Sequence, residues 1–300
     1  MKIDYTELKK GGFIKQRQKN TFVMRLRTIG GNLSSEQLRQ IAALADKYGK
    51  GYVHLTTRQG VEIPWIELQD YDALKREIRD RGLHPGACGP RVRTIVACPG
   101  NEICGYGLID VRSLAAELDE RFFGRDVPVK IKMAVCGCPN SCAKPQENDL
   151  GFAGMVEPVL VEEKCISCGV CSEVCPAGAI DISGGIPKMN KDKCLYEGNC
   201  IASCPSEAWQ ARRVGCTVYA GGKMGRYPQL GQPVVPFVPE GQVADVAEAF
   251  LQTFLELAQP NERIADAINR VGIEKFREKV YLNWDEIKKG SGGELVHEKL

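Results

Sequence analysis

All but Cys88, Cys136 and Cys216 of the fourteen cysteines in this chain belong to two sets with different spacing. One is Cys98-Pro-Gly-Asn-Glu-Ile-Cys104 followed by Cys138-Pro-Asn-Ser-Cys142, a C-x5-C pair and then a C-x3-C pair. The other is Cys165-Ile-Ser-Cys168-Gly-Val-Cys171-Ser-Glu-Val-Cys175-Pro176, continued by Cys194, Cys200 and Cys204-Pro205. Zinc sites use paired C-x2-C knuckles or Cys/His mixtures, and both sets fit that poorly. Three thiolates so close in sequence wrap an iron–sulfur cluster rather than one ion, so the C-x2-C-x2-C-x3-C-P run predicts [4Fe–4S] ligation. A chain with both sets is expected to move electrons through the second and use them at the first.

The second set is the bacterial ferredoxin run, whose fourth cysteine serves the other of two clusters. It contains the one internal repeat in the chain. Laying Cys194-Leu-Tyr-Glu197-Gly-Asn-Cys200-Ile-Ala-Ser-Cys204 on the same template puts Glu197 where a cysteine belongs. One cluster then takes Cys165, Cys168, Cys171 and Cys204. The other takes Cys175, Cys194 and Cys200, with Glu197 as an oxygen ligand that would shift its potential, because a carboxylate is harder than a thiolate. A three-iron cluster, or no second cluster, are the alternatives; the otherwise unexplained three cysteines favour the Glu-ligated form. Cys88, Cys136 and Cys216 are expected in the core, where free cysteine packs as a small hydrophobe. Cys136, two residues before Cys138, is placed to donate a weak hydrogen bond towards a cluster.

Three hundred residues at 43% hydrophobic bury one large or two to three small domains. A net charge of +2 points to neither nucleic acid nor an anionic membrane surface. The start Met1-Lys2-Ile3-Asp4-Tyr5 lacks the apolar stretch of a signal peptide, and charges interrupt every candidate membrane span. Thiols kept reduced then act as ligands rather than disulfides, and the expected home is a cytoplasm, anaerobic or well protected.

Residues 1–69 read as a compact α+β half-domain. Phe22 to Arg27 ends in the alternation of a half-buried strand, and Gly30-Gly31 turns the chain. Ser34-Ser35-Glu36-Gln37 is a capping box opening a helix whose stripe is Leu38, Ile41, Leu44, Ala45 and Tyr48, ended by Gly49. Tyr52–Leu55 and Val61–Ile63 are predicted strands, and a second helix starts near Asp70, carries Leu74 and Ile78, and stops at Gly82. Residues 70–157 form the first part of a core: Val92–Ala97 is a strand delivering Cys98, Ile103–Leu118 is partly helical, and Val129–Val135 is an alternating strand delivering Cys138 and Cys142. Residues 158–210 look inserted. Residues 211–300 complete the core, with a helix over Val243–Leu257 and an amphipathic helix pair broken at Gly272. His54, His84 and His297 carry no evident ligand role.

Cys98 to Cys104 with Gly137-Cys138-Pro139-Asn140-Ser141-Cys142 resembles the siroheme and [4Fe–4S] signature of sulfite and nitrite reductases. Arg25-Leu26-Arg27 before Gly30-Gly31, Leu55-Thr56-Thr57-Arg58-Gln59-Gly60 and Lys130-Ile131-Lys132 are similar to that family's siroheme and substrate segments. The insert and Ala220-Gly221-Gly222-Lys223-Met224-Gly225-Arg226 narrow the likeness to the catalytic subunit of anaerobic sulfite reductases, or a single-unit dissimilatory type. The resemblance implies an α+β fold: a nitrite/sulfite reductase ferredoxin-like half-domain, a siroheme/[4Fe–4S] core domain and an inserted bacterial-type ferredoxin domain. It further implies six-electron reduction of sulfite to sulfide, with Cys142 bridging cluster and siroheme iron. Asn140, Arg25, Arg58, Lys223 and Arg226 would hold siroheme.

Arg25 and Arg27 lie two apart on a strand, as do Lys130 and Lys132, so each pair faces one side. Such pairs are ordinarily a solvated strand face. Siroheme carboxylates and the sulfite dianion give them a second use, with Arg as a bidentate fork and Lys as a mobile charge and proton source. The resemblance assigns Lys132, Lys130, Arg27 and Arg93 to the anion. Larger family members contain two copies of the unit present once here, which implies a homodimer or higher homo-oligomer with Cys142 of one subunit facing Lys132 of another.

No nucleotide-binding motif is evident. Electrons therefore come from a donor protein, either a ferredoxin or partner iron–sulfur and flavin subunits. Reduction of nitrite to ammonia, turnover of a different substrate at siroheme, and a purely electron-relaying iron–sulfur protein are the competing readings. The cationic strands beside the cysteines speak against the relay.

Overall fold

The computed structural model describes residues 4–291; Met1–Ile3 and His297 lie outside that range. The first unit contains α1 (Tyr5–Lys10), β1 (Phe13–Lys15), β2 (Thr21–Leu26), α2 (Ser35–Tyr48), β3 (His54–Leu55), β4 (Val61–Glu67) and α3 (Tyr71–Asp80). Its sheet is antiparallel in the order β1-β2-β4-β3. Along β2, Phe22, Met24 and Leu26 point into the core, which turns Arg25 to the other face. The capping box forms: Ser34 Oγ accepts the Gln37 N–H at 3.0 Å, and Gln37 Oε1 accepts the Ser34 N–H at 2.9 Å.

Ile41, Leu44 and Ala45 of α2, with Leu74 and Ile78 of α3, are buried in this unit's core. Leu38, expected in the same stripe, is 51% exposed, because the cover begins one turn later. The strand expected over Tyr52–Leu55 shortens to His54–Leu55, which pairs only with Val61 and Glu62.

The second unit consists of β5 (Val96–Ala97), α4 (Val111–Phe122), β6 (Met133–Cys136), β7 (Leu150–Leu160), β8 (Ile180–Asp181), β9 (Lys188–Met189), β10 (Trp209–Ala220) and β11 (Gln232–Pro239). Two one-turn helices, α5 (Val170–Glu173) and α6 (Asn199–Ala202), precede and follow the β8–β9 hairpin. Helices α7 (Val243–Leu257), α8 (Ile264–Val271) and α9 (Ile273–Ser291) close the chain, with Gly272 separating the last two as its composition predicts. The large sheet runs β11-β10-β7-β6-β5, parallel across β5, β6 and β7 and antiparallel across β7, β10 and β11.

The ladder covers less of the chain than the alternation suggested. Of Val92–Ala97 only Val96 and Ala97 are a strand, and Val129–Val135 becomes Met133–Cys136. Strand β6 is central and all four of its residues are buried, whereas Lys130 and Lys132 lie on the approach to it. A bridge from Val92 to Ile131 and the Leu150 N–H on the Lys132 carbonyl, at 3.1 Å, hold that approach in place.

Strands β7 and β10 pair from Leu160 opposite Trp209 to Leu150 opposite Ala220. Residues 161–208 therefore leave and return at one end of a long hairpin. Buried Glu157 fastens that end: it accepts Arg213 Nε at 2.7 Å, with Lys191 of the protruding segment 3.6 Å away. Among the described residues no helix is long and apolar enough to cross a membrane.

Candidate functional site

Five cations reach one cavity from both units. Arg25 of β2, Arg58, Arg93, Lys130 and Lys132 line it together with Thr56, Thr57 and Thr94. Thr57, Arg58 and Lys132 also border an adjoining cavity whose wall includes Gln59, Cys142, Asn148 and Met224.

Each guanidinium is anchored. Arg25 donates through Nε and Nη2 to Glu62 on β4 at 2.8 and 2.5 Å, and through Nη1 to Cys88 Sγ at 2.9 Å. Arg58 leaves a tight turn in which Gln59 has φ 59°, and donates to Asn148 Oδ1 at 2.5 Å and the Thr94 carbonyl at 3.1 Å. Arg93 donates to the Ala87 and Gly89 carbonyls at 3.0 Å each. Its Nε is buried with no partner among the described residues.

The charges are crowded. Burial, with Arg93, Arg25 and Arg263 adding to it, pushes Arg58 down to about 10. Burial also pushes Arg93 down, and burial followed by the charge of Arg58 pushes the Lys132 amine down. Cations held this way favour binding of anions, and an orphaned buried N–H donor has a place for an acceptor. A ring carrying many carboxylates and a small oxyanion both fit.

The thiols of the first set are neighbours. Burial raises the Cys138 thiol, and the charges of Cys98, Cys104 and Cys142 raise it further. Cys98 Sγ accepts the Gly137 N–H at 3.1 Å, and Cys136 Sγ accepts the Ala143 N–H at 3.0 Å. The Cys136 side chain hydrogen-bonds Cys98, which lowers the Cys98 thiol below its ordinary value. Four neighbouring thiols, with backbone N–H groups donating to Cys98 and Cys138, suit an iron–sulfur cluster. Cys88, Cys136 and Cys216 are all buried; Cys88 also receives the Arg25 hydrogen bond.

Four residues expected at the site sit apart from the cationic cavity. Arg27 follows the end of β2, and its guanidinium is bound to buried Asp119 on α4 (Nε to Oδ2 2.6 Å) and lies 4.2 Å over the Phe123 ring. Sharing a strand face with Arg25 did not bring it to the cavity, because β2 stops at Leu26 and Asp119 claims the charge. Lys223 pairs with Asp266 at 2.5 Å, while its neighbour Met224 reaches the Cys142 cavity. Arg226 and Asn140 are exposed, though the Asn140 N–H serves Cys138. A single chain also brings Lys132 and Cys142 to one cavity, so the two need no subunit boundary to meet. Asn148, Asp149 and Arg263 were not legible as site residues, since none lies in a spaced motif; Met224 lies in the Ala220–Arg226 segment, where Lys223 and Arg226 were the residues expected at the site.

In the protruding segment the second set divides between two small cavities. Cys165, Cys168, Cys171 and Cys204 line one, with Trp209, whose buried indole N–H has no partner among the described residues. Cys175, Cys194, Glu197 and Cys200 line the other. Burial pushes the Cys200 thiol up to about 12 and the Glu197 carboxyl above its usual range.

Comparison with known proteins points the same way. Residues 88–288 match the nitrite and sulphite reductase 4Fe-4S domain, and residues 14–81 match the nitrite/sulfite reductase ferredoxin-like half domain. A coenzyme F420-dependent sulfite reductase of Methanocaldococcus jannaschii is 36% identical over 272 residues, covering 90% of this chain and 44% of the relative. The chain thus spans less than half the length of that relative. An anaerobic sulfite reductase subunit of Salmonella typhimurium is 27% identical, covering 78% of this chain and 77% of the relative. The crystal structure of dissimilatory sulfite reductase I superposes with a TM-score of 0.72 at 19% identity, over 92% of this chain and 70% of that one.

Proposed function

This chain belongs to the nitrite and sulphite reductase family, and from that premise we propose that it is a siroheme-dependent sulfite reductase performing the six-electron reduction of sulfite to sulfide. The observation that carries the reading is the cationic cavity adjoining Cys142, with Arg58 and Lys132 in the wall of both. A purely electron-relaying protein has no use for five convergent cations there.

When bound, a siroheme and its [4Fe–4S] cluster would supply electrons to a small oxyanion. Cys98, Cys104, Cys138 and Cys142 would hold the cluster, with Cys142 in the wall of the cavity that Arg58 and Lys132 border. Arg25 and Arg58, pre-set by Glu62 and Asn148, pair with ring carboxylates as planar forks. Arg93, Lys130 and Lys132 bind the anion. Lys132, whose amine releases its proton more readily than a solvated lysine, protonates departing oxygens. Arg27 has no part in the anion in this reading. Cys165, Cys168, Cys171 and Cys204 would hold one cluster of the ferredoxin-like segment and Cys175, Cys194, Glu197 and Cys200 a second, which would supply a route for electrons from a donor protein, either a ferredoxin or partner iron–sulfur and flavin subunits. Two-fold self-association and a cytoplasmic, anaerobic setting complete it.

The test is a visible spectrum of the anaerobically purified protein, followed by turnover with sulfite and nitrite side by side. Siroheme absorption and faster sulfite turnover are expected. Faster nitrite turnover would reassign the substrate, and a spectrum of iron–sulfur clusters alone would leave the relay. Lys132→Ala should lose sulfite turnover with the haem spectrum intact; retained turnover would remove Lys132 from the reaction.

A further inference from the structure

The two halves of the protruding segment repeat in backbone as well as in sequence. Each residue of the second half stands 29 positions after its counterpart, from Cys165 and Cys194 to Cys175 and Cys204. The Ser167 N–H reaches Cys165 Sγ at 3.4 Å, and its counterpart Tyr196 N–H reaches Cys194 Sγ at 3.3 Å. The Ala179 and Ala208 N–H groups reach Cys175 and Cys204 Sγ at 3.3 and 3.2 Å. Positive φ recurs at Ser167 and Tyr196 (53° and 56°) and at Gly169 and Gly198 (82° and 79°), opening α5 and α6. At the same offset, Glu197 occupies the place of Cys168.

We propose that Glu197 is the fourth ligand of an iron–sulfur cluster held with Cys175, Cys194 and Cys200. The repeat aims position 197 as it aims Cys168, and the cavities divide accordingly, with Cys204 crossing to the first site and Cys175 to the second. Among the described residues Glu197 has no hydrogen bond or ion pair to give it another role. An oxygen donor among three thiolates gives this site a potential different from its all-cysteine twin.

Its position makes the difference matter. The loop carrying Glu197 rests on the core: the Val156 N–H donates to the Tyr196 carbonyl at 2.9 Å, and a Cβ on Gly198 would lie 2.8 Å from Val156 and 3.6 Å from Leu108. Leu108 donates its N–H to the Gly137 carbonyl at 2.8 Å, and Gly137 donates to Cys98. The Glu197 site is thus the inner of the two, beside the Cys98 centre.

The proposal rests on the proposed function only in taking these cysteines as iron–sulfur ligands. It is tested on the full chain, purified anaerobically, by iron and sulfide content and by EPR before and after dithionite. Glu197→Ala should lose about one iron per chain and gain a three-iron signal when oxidised. Glu197→Cys should keep its iron and shift the reduced spectrum, and it decides the matter alone if the alanine variant does not fold. Wild-type iron and EPR in Glu197→Ala, an unshifted spectrum in Glu197→Cys, or a wild-type chain with one ferredoxin-type cluster would each overturn the ligand assignment. Absence of siroheme absorption would sink the proposed activity and leave this iron count standing.

Discussion

Arg263 donates through Nε and Nη2 to the buried carboxylate of Asp149, at 2.9 and 2.6 Å. The other oxygen of Asp149 accepts the Lys132 N–H at 2.9 Å. One carboxylate therefore ties the start of α8 to the backbone that presents Lys132 to the cavity.

Removing Arg263 leaves a carboxylate inside the protein with its main counter-charge gone. Arg263→Ala should cost about 3–5 kcal/mol in denaturant unfolding at neutral pH, the usual penalty for breaking a buried pair. Burial already raises Asp149 above the ordinary carboxylate value, and losing Arg263 raises it further. A folded carboxyl that binds its proton more tightly than the unfolded chain adds stability below the unfolded value and loses it as pH rises through the folded one. The deficit of the variant should accordingly shrink on acidification. A cost below about 1 kcal/mol, the range of exposed pairs, would show that Asp149 does not depend on Arg263.

Cys136 is a buried thiol bonded to a proposed cluster ligand. Its hydrogen bond to Cys98 and the Ala143 N–H that it receives form a short relay behind Cys98. Hydrogen bonds to ligand sulfur tune cluster potential. Cys136→Ala should retain the full iron content and move the midpoint potential of the Cys98 centre in an EPR-monitored redox titration. An unmoved midpoint would reduce Cys136 to packing.

What the chain's sequence disclosed depends on how local the cause is. The Ser34–Gln37 capping box, the Gly272 break and the Val243–Leu257 helix are written in neighbouring residues and appear as expected. The place of Glu197 opposite Cys168 could be read because a repeat supplies its own template. Arg27 was misplaced because Asp119, its partner, is 92 positions away and belongs to no motif. Lys223 went astray likewise, since its choice of Asp266 depends on how α8 packs. Asp149 and Arg263 each stand alone in sequence and acquire meaning only when the core closes.

Lys132 should set the alkaline limit of sulfite turnover. Burial first, and the charge of Arg58 second, lower the pH at which its amine gives up its proton. Activity that needs the ammonium form should fall before pH reaches the ordinary lysine value of 10.5. A pH profile of kcat under saturating sulfite reads this limb directly. Lys132→Arg, which keeps its charge across that range, should remove the limb even where it slows turnover; a limb unchanged in that variant would assign it to another group.

Gly222 links the loop after β10 to the turn beneath Cys142. A Cβ there would meet the Gln146 and Asn148 carbonyl oxygens at 2.2 and 2.4 Å, both backbone atoms that cannot swing aside. Asn148 is also the residue whose Oδ1 holds Arg58. Gly222→Ala should therefore do two things at once: lower stability by about 1–3 kcal/mol through overpacking, and raise the KM for sulfite, because Arg58, whose charge borders the anion cavity and acts on Lys132 besides pairing with ring carboxylates, loses its anchor. Gly241 is the matched control, because a Cβ there meets nothing within 4 Å. Gly241→Ala should stay within about 0.5 kcal/mol of the parent and leave KM alone. Thermal unfolding and steady-state kinetics on the two variants separate the outcomes. Loss of stability with an unchanged KM would mean that the turn moves without carrying Arg58 with it.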